Sequence, residues 1–180
     1  MKKILAFALL IATSTASLAQ GYFYNKNIPG WTIVGRQKQN ELNAVCAIEK
    51  VWNDGSLFTV FKDLNDGELY FLMTNNSWEI RDNPGLYTMR MNFHYSNGTV
   101  NGGIISYELL SKNTIRVRNL KANVFLNDFV GAKTLKFVMP GTIMNIEIPL
   151  NNSSIGIENM VDCVNSFKSV REFNSKGLDL

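Results

Sequence analysis

Asn53-Asp54-Gly55, Asn65-Asp66-Gly67 and Asn97-Gly98 stand between short runs of alternating apolar and polar residues. Asn-Gly and Asp-Gly pairs accept the positive φ angles that tight hairpin turns require, so each pair reverses the chain. Further breaks fall at Asn75-Asn76, Asn83-Pro84-Gly85 and Ser111-Lys112-Asn113. A reversal about every ten residues leaves room for strands and for little else. The runs between them read as strands over 31–36, 44–52, 57–62, 69–74, 87–95, 104–110 and 114–118. This pattern predicts a mainly β protein, an antiparallel β-sandwich or partly closed barrel. Within 87–95, Met89, Met91, Phe93 and Tyr95 share one face, and Arg90, Asn92 and His94 share the other.

The C-terminal third reads differently. Ala122, Phe125, Leu126, Phe129 and Val130 recur at helical spacing, with Lys121, Asn123, Asn127 and Asp128 opposite them. Gly131 stands where a helix end favours a residue that tolerates positive φ. Leu135, Phe137 and Met139 alternate as a strand, Pro140-Gly141 turns the chain, and Met144, Ile146, Ile148 and Leu150 form its partner. Pro149 confines that partner to an edge or to its own end. Asn151-Asn152-Ser153-Ser154 is rich in N-cap residues. Ile157, Met160, Val161 and Val164 then give a second helical stripe, with Cys163 and Phe167 on its margin. Two short helices are therefore expected, both in the C-terminal third.

The chain opens with Met1-Lys2-Lys3, an apolar run from Ile4 to Ala12, and Ser17-Leu18-Ala19, which has small residues at both recognition positions of a signal-peptidase site. The run falls short of the roughly 20 residues that span a bilayer. Residues 1–19 read as a cleaved secretory signal, with a retained anchor as the alternative, and no further membrane segment is expected in the remainder. Residues 20–180 make one domain, with 20–30 as a flexible lead-in and 168–180 as a frayed tail. Loss of Lys2 and Lys3 leaves 16 basic against 15 acidic residues, a formal charge of +1. The basic residues are scattered, which argues against a nucleic-acid binder.

Cys46 and Cys163 are the only cysteines. In an exported chain two cysteines most simply form one disulfide, and Cys46 shares strand parity with Ala44 and Ile48, so it points inward. Two buried free thiols are the alternative. Closing so long a loop is worth roughly 5 kcal/mol in the chain-entropy model.

The chemistry-bearing residues are few. His94 is the sole histidine and lies among Arg90 and Asn92 on a polar strand face, which suits a solvated side chain rather than a general base. No Gly-x-Ser-x-Gly elbow is present. One histidine and two cysteines do not make a zinc site, Met89 and Met91 face away from His94, and Asn65-Asp66-Gly67-Glu68 lacks the spacing of a calcium loop. No metal, no cofactor and no catalytic residue is assigned. Glu49, Asp54, Asp63, Asp66, Glu68 and Glu79 are the acids from which a carboxylate-based hydrolase would have to be built.

Val124-Phe125-Leu126, Phe129 and Ala132-Lys133-Thr134-Leu135, then Pro140-Gly141, Ile148-Pro149-Leu150, Ser153-Ser154, Ile157, Met160 and Cys163 form a tail pattern that resembles the C-terminal part of the invasion-associated locus B family of exported bacterial proteins. Trp31 leading a strand, followed by Cys46, resembles the family's start. The chain departs from the pattern at Gly35, where many members carry a cysteine. The resemblance implies a β-rich protein of the periplasm or cell surface, some relatives being linked to host-cell entry. The functional expectation is a periplasmic or secreted, non-enzymatic binding protein, with an association with invasion or virulence. Its partner would be a protein in the envelope or on a host cell, anchored through exposed aromatics such as Tyr22, Phe23, Tyr24 and Trp78. The alternatives are a carrier of an apolar small molecule inside the β-shell and the hydrolase.

Overall fold

The structure is a computed structural model that describes residues 20–38, 44–80, 87–139 and 145–176. The expected signal segment lies outside these residues. Ten strands and two helices follow one another: β1 (Gln20–Ile28), β2 (Trp31–Lys38), β3 (Ala44–Val51), β4 (Leu57–Asp63), β5 (Leu69–Thr74), β6 (Tyr87–His94), β7 (Val100–Ser111), β8 (Thr114–Val117), α1 (Ala122–Gly131), β9 (Thr134–Val138), β10 (Asn145–Pro149) and α2 (Ser153–Lys176). The protein is mainly β, as its turn spacing predicts. Gly55, Gly67 and Gly98 take positive φ in the three Asn/Asp-Gly turns.

All ten strands join one antiparallel sheet in the order β1-β2-β3-β4-β5-β8-β7-β6-β9-β10. β7 connects its two halves. Val100 to Tyr107 of β7 pair with β6, while Glu108 to Ser111 pair with β8 across a bulge. The sheet then curls so that its halves face each other. Phe137 of β9 lies 6.2 Å from Phe58 of β4 and 5.2 Å from Phe71 of β5, although β9 stands far from both in strand order. The shell does not close, since β1 and β10 are its two edges. Pro149 therefore sits on an edge strand, where its missing N–H costs nothing. Side chains span the opening instead: Lys50 Nζ donates to the carbonyl of Pro149 (2.8 Å) and Trp31 Nε1 to that of Asn151 (2.8 Å).

The helices lie on the inner face of the sheet. Phe125 of α1 contacts Phe71 and Phe93, and Phe129 contacts Trp31 and Phe58. α2 packs along β2, β1 and β3. Ser153, expected as an N-cap candidate, turns its hydroxyl to the carbonyl of Phe129 (2.8 Å) and so ties the start of α2 to the end of α1. Gly131 does not take the left-handed conformation anticipated for it. The chain leaves α1 through Ala132 in an extended conformation, its N–H on the carbonyl of Asp128, and runs directly into β9.

Cys46 and Cys163 are bonded, with 6.0 Å between their Cα atoms and both residues wholly buried. The bond fastens the inner face of β3 to α2. Gly35 lies opposite Cys46 on β2, and a Cβ there would stand 2.5 Å from the Phe23 ring and 2.9 Å from Cys163 Sγ. Phe23 and the disulfide thus fill the space that a side chain at position 35 would need.

Three expectations need correction. Residues 20–28, read as a flexible lead-in, form β1 and pair with β2 along their length. The register slips between Tyr22 and Tyr24, leaving Phe23 as an extra residue, and this bulge erases the alternation by which a strand is recognised. The second helix is not short: it spans 24 residues. Residues 168–176, read as a frayed tail, continue it, because no Gly or Pro interrupts the sequence before Gly177.

Replacing both cysteines by alanine is expected to destabilise the protein by about 2–5 kcal/mol in chemical denaturation. Labelling of the native wild type with a thiol reagent after mild reduction should yield no free thiol until denaturant is added, since both sulfurs are buried. The second test concerns α2. A Cβ at Gly156 would fall 2.1 Å from Cδ1 of the buried Ile48. Gly156→Ala should cost about 1–3 kcal/mol despite its better helix propensity. In the double variant with Ile48→Val, which removes that methyl, the cost should fall below the sum of the two single changes.

Candidate functional site

A cleft of about 570 Å³ opens on the flank of the shell, where β10 approaches the adjoining ends of β4 and β5. Its position follows from the curl. Ile146 and Ile148 of β10 reach residues that are remote in strand order, and the open edge of the sheet leaves a gap there. Phe58, Met73 and Ile148 make its floor and are core residues. Trp52, at the end of β3, and Trp78, beyond β5, form its walls. The rim is polar: Asp54, Ser56, Thr74, Asn75, Ser77 and Glu147.

The rim groups are held by the turns that carry them. Asp54 accepts both the backbone N–H and the hydroxyl of Ser56, each at 2.9 Å. These bonds hold its carboxyl below the usual carboxylate range. The neighbouring turn is pinned across the rim by Asn76, whose side-chain N–H₂ donates to the carbonyl of Asp54 (2.9 Å). Asn75 accepts from the backbone and hydroxyl of Ser77. Thr74 shares a hydrogen bond with Thr114 (3.1 Å), and Glu147 pairs with Lys136 (2.9 Å).

The structure does not bring the four aromatic candidates together. Tyr22 is 58% exposed on β1 and lies under the Arg36 guanidinium, 5.5 Å from its ring centroid. Phe23 is half-buried against Phe167, and Tyr24 is half-buried with its hydroxyl near Asn159 (3.4 Å). Burial, aided by the Asp162 charge, raises the Tyr24 phenol above its ordinary value. Trp78, expected as an exposed anchor, is 6% exposed. It forms a wall of the cleft rather than a surface knob, because the backbone bond from its N–H to the Asn75 carbonyl folds the loop inward. Trp52 was missed. As the last residue before an Asn-Asp-Gly turn it carries no sequence sign that a second indole from beyond β5 will face the same gap.

The acids are spread through the fold. Asp63 caps its own turn through the N–H of Asn65, Asp66 accepts the Tyr70 hydroxyl (2.6 Å), and Glu79 pairs loosely with Lys112 (3.7 Å) on the surface. The Glu68 N–H donates to the Asp66 carboxylate, and its carbonyl accepts the N–H of Asp63. Glu49 is buried on the outer face of β3 and paired with Arg36 at 2.9 Å. Its burial raises its carboxyl above the usual range, with the Arg36 guanidinium partly offsetting the rise. Only Asp54 of the six borders the cleft. His94 lies half-buried on β6, opposite Val100 and Thr134. Among the described residues no three His, Cys, Asp or Glu side chains converge as metal ligands, and no helix is long and apolar enough to cross a membrane.

Comparison of the chain with protein-family models, with curated proteins and with solved structures finds no match.

The Glu49 shift has a pH consequence. A carboxyl raised in the folded state contributes stability that is fully present below its unfolded pKa and lost as pH rises through the folded value. The stability of the wild type relative to Glu49→Gln should therefore decline as pH rises above the ordinary carboxylate value of about 4. Melting temperatures of both proteins at rising pH test this; a wild-type value that rises relative to that of the variant as pH increases would contradict it.

Proposed function

We propose that the protein is an exported, non-enzymatic binding protein that seats its ligand in the flank cleft. The observation that carries this reading is the construction of the cleft: an apolar floor, two indole walls and a rim whose polar side chains are already engaged in turns or ion pairs. Its size falls within the range of small-molecule sites. Hydrolysis by a carboxylate pair needs one acid that stays protonated, and the donors on Asp54 work in the opposite sense. The shell interior is filled by Phe58, Phe71, Phe93, Phe125, Phe129 and Phe137. An apolar ligand is thus better served by the cleft than by the interior.

Export draws support from the buried disulfide, which is compatible with an oxidising compartment, and from the leader-like opening of the sequence. The tail pattern that resembles the invasion-associated locus B family agrees with the same class, and a role in invasion or virulence belongs to this proposal.

Nile red, a neutral dye that brightens in apolar surroundings, tests the cleft. Bound dye should give blue-shifted emission with the native protein. Ser77→Trp, which places a large side chain on the exposed rim, should abolish the signal without lowering the melting temperature. Equal dye binding by that variant, or none by the wild type, would overturn the reading.

A further inference from the structure

Building on the cleft as the binding site, we infer that its ligand is a small organic cation: an apolar body that lies on Phe58, Met73 and Ile148 between the two indoles, with an ammonium or guanidinium group at the Asp54 side of the rim. The inference rests on the cleft's charge and walls together. Among the described residues two acids line it, Asp54 and Glu147, and no Lys, Arg or His does. The lysines on the flanking elements have partners of their own. Lys136 pairs with Glu147, Lys112 with Glu79, and Lys50 donates to the Pro149 carbonyl while its Nζ stands 4.8 Å over the Trp31 ring. Asp54 is different. Its carboxylate accepts from Ser56 and from its own backbone N–H, all neutral donors, and no cation pairs with it among the described residues. Among the described residues the cleft therefore keeps one negative charge with no cation paired to it.

An anionic ligand would meet that charge with no cation beside Asp54 among the described residues, and a neutral one would make no use of it. A cation beside an indole face gains from the ring quadrupole as well as from the carboxylate. Elsewhere the fold sets a cation over one indole, Lys50 over Trp31, and over two phenol rings, Arg36 over Tyr22 and Arg118 over Tyr70. The apolar floor and indole walls supply the remainder of the contact by burial. A polyvalent or fully hydrated cation would leave that floor wet, so a metal ion does not fit the same surface.

Three probes of equal chain length and different charge test the inference: octylammonium, octanol and octanoate, titrated by indole fluorescence and by calorimetry. Octylammonium should bind about tenfold more tightly than octanol, with octanoate weakest. Asp54→Asn keeps an acceptor for Ser56 and removes the charge. It should reduce the preference of octylammonium over octanol to about twofold or less while octanol binding stays unchanged. Added salt should weaken octylammonium binding and leave octanol unaffected. Octanoate binding as well as octylammonium, or an undiminished preference in Asp54→Asn, would overturn the inference while octanol binding upheld the cleft. Failure of all three probes together with Nile red would instead remove the cleft as a site.

Discussion

Phe125 and Phe129, one turn apart on α1, hold the sheet in its curl. Their rings reach Trp31 on β2, Phe58 on β4, Phe71 on β5 and Phe93 on β6. A ten-stranded open sheet has no edge-to-edge hydrogen bonds to keep its ends near each other, so what lies inside must do so. Burial of large aromatic rings supplies the attraction, and their edge-to-face and offset contacts supply direction. The position of β10 follows from this packing, and the flank cleft follows from the position of β10.

The pair of anchors around α2 completes the arrangement. Ser153 binds the helix start to α1, and Cys163 binds its middle to β3. Gly156 permits α2 to descend onto Ile48 between those two points. Gly35 plays the matching part on the sheet by leaving room for the sulfur and for the Phe23 ring. A side chain at position 35 would enter a space that the Phe23 ring and the Cys163 sulfur already occupy.

Much of the fold was legible because turn chemistry and alternation are local. The Asn/Asp-Gly turns, the helix at Ala122–Gly131, the edge position of Pro149 and the inward parity of Cys46 each rest on a few neighbouring residues. The bulge at Phe23 hid β1 because one extra residue inverts the faces beyond it. The reach of α2 past Phe167 was hidden because its polar residues carry no stripe, only the absence of a breaker. The cleft was legible least of all. It needs Trp52, Trp78 and Ile148 to meet, and their meeting depends on how far the whole sheet bends, which no short window of sequence encodes. The same holds for Trp78: an indole flanked by Ser77 and Glu79 reads as surface, yet the loop folds it in.

The buried disulfide also constrains how the protein comes into being. Its sulfurs stand 117 residues apart in the chain and neither is open to solvent in the finished fold. An oxidant therefore has to meet them while α2 is still loosely seated on β3, in an intermediate that already has the right neighbours but not yet the final packing. Whatever catalyses that oxidation acts on a nascent shell, and once the shell has tightened the cross-link is withdrawn from exchange.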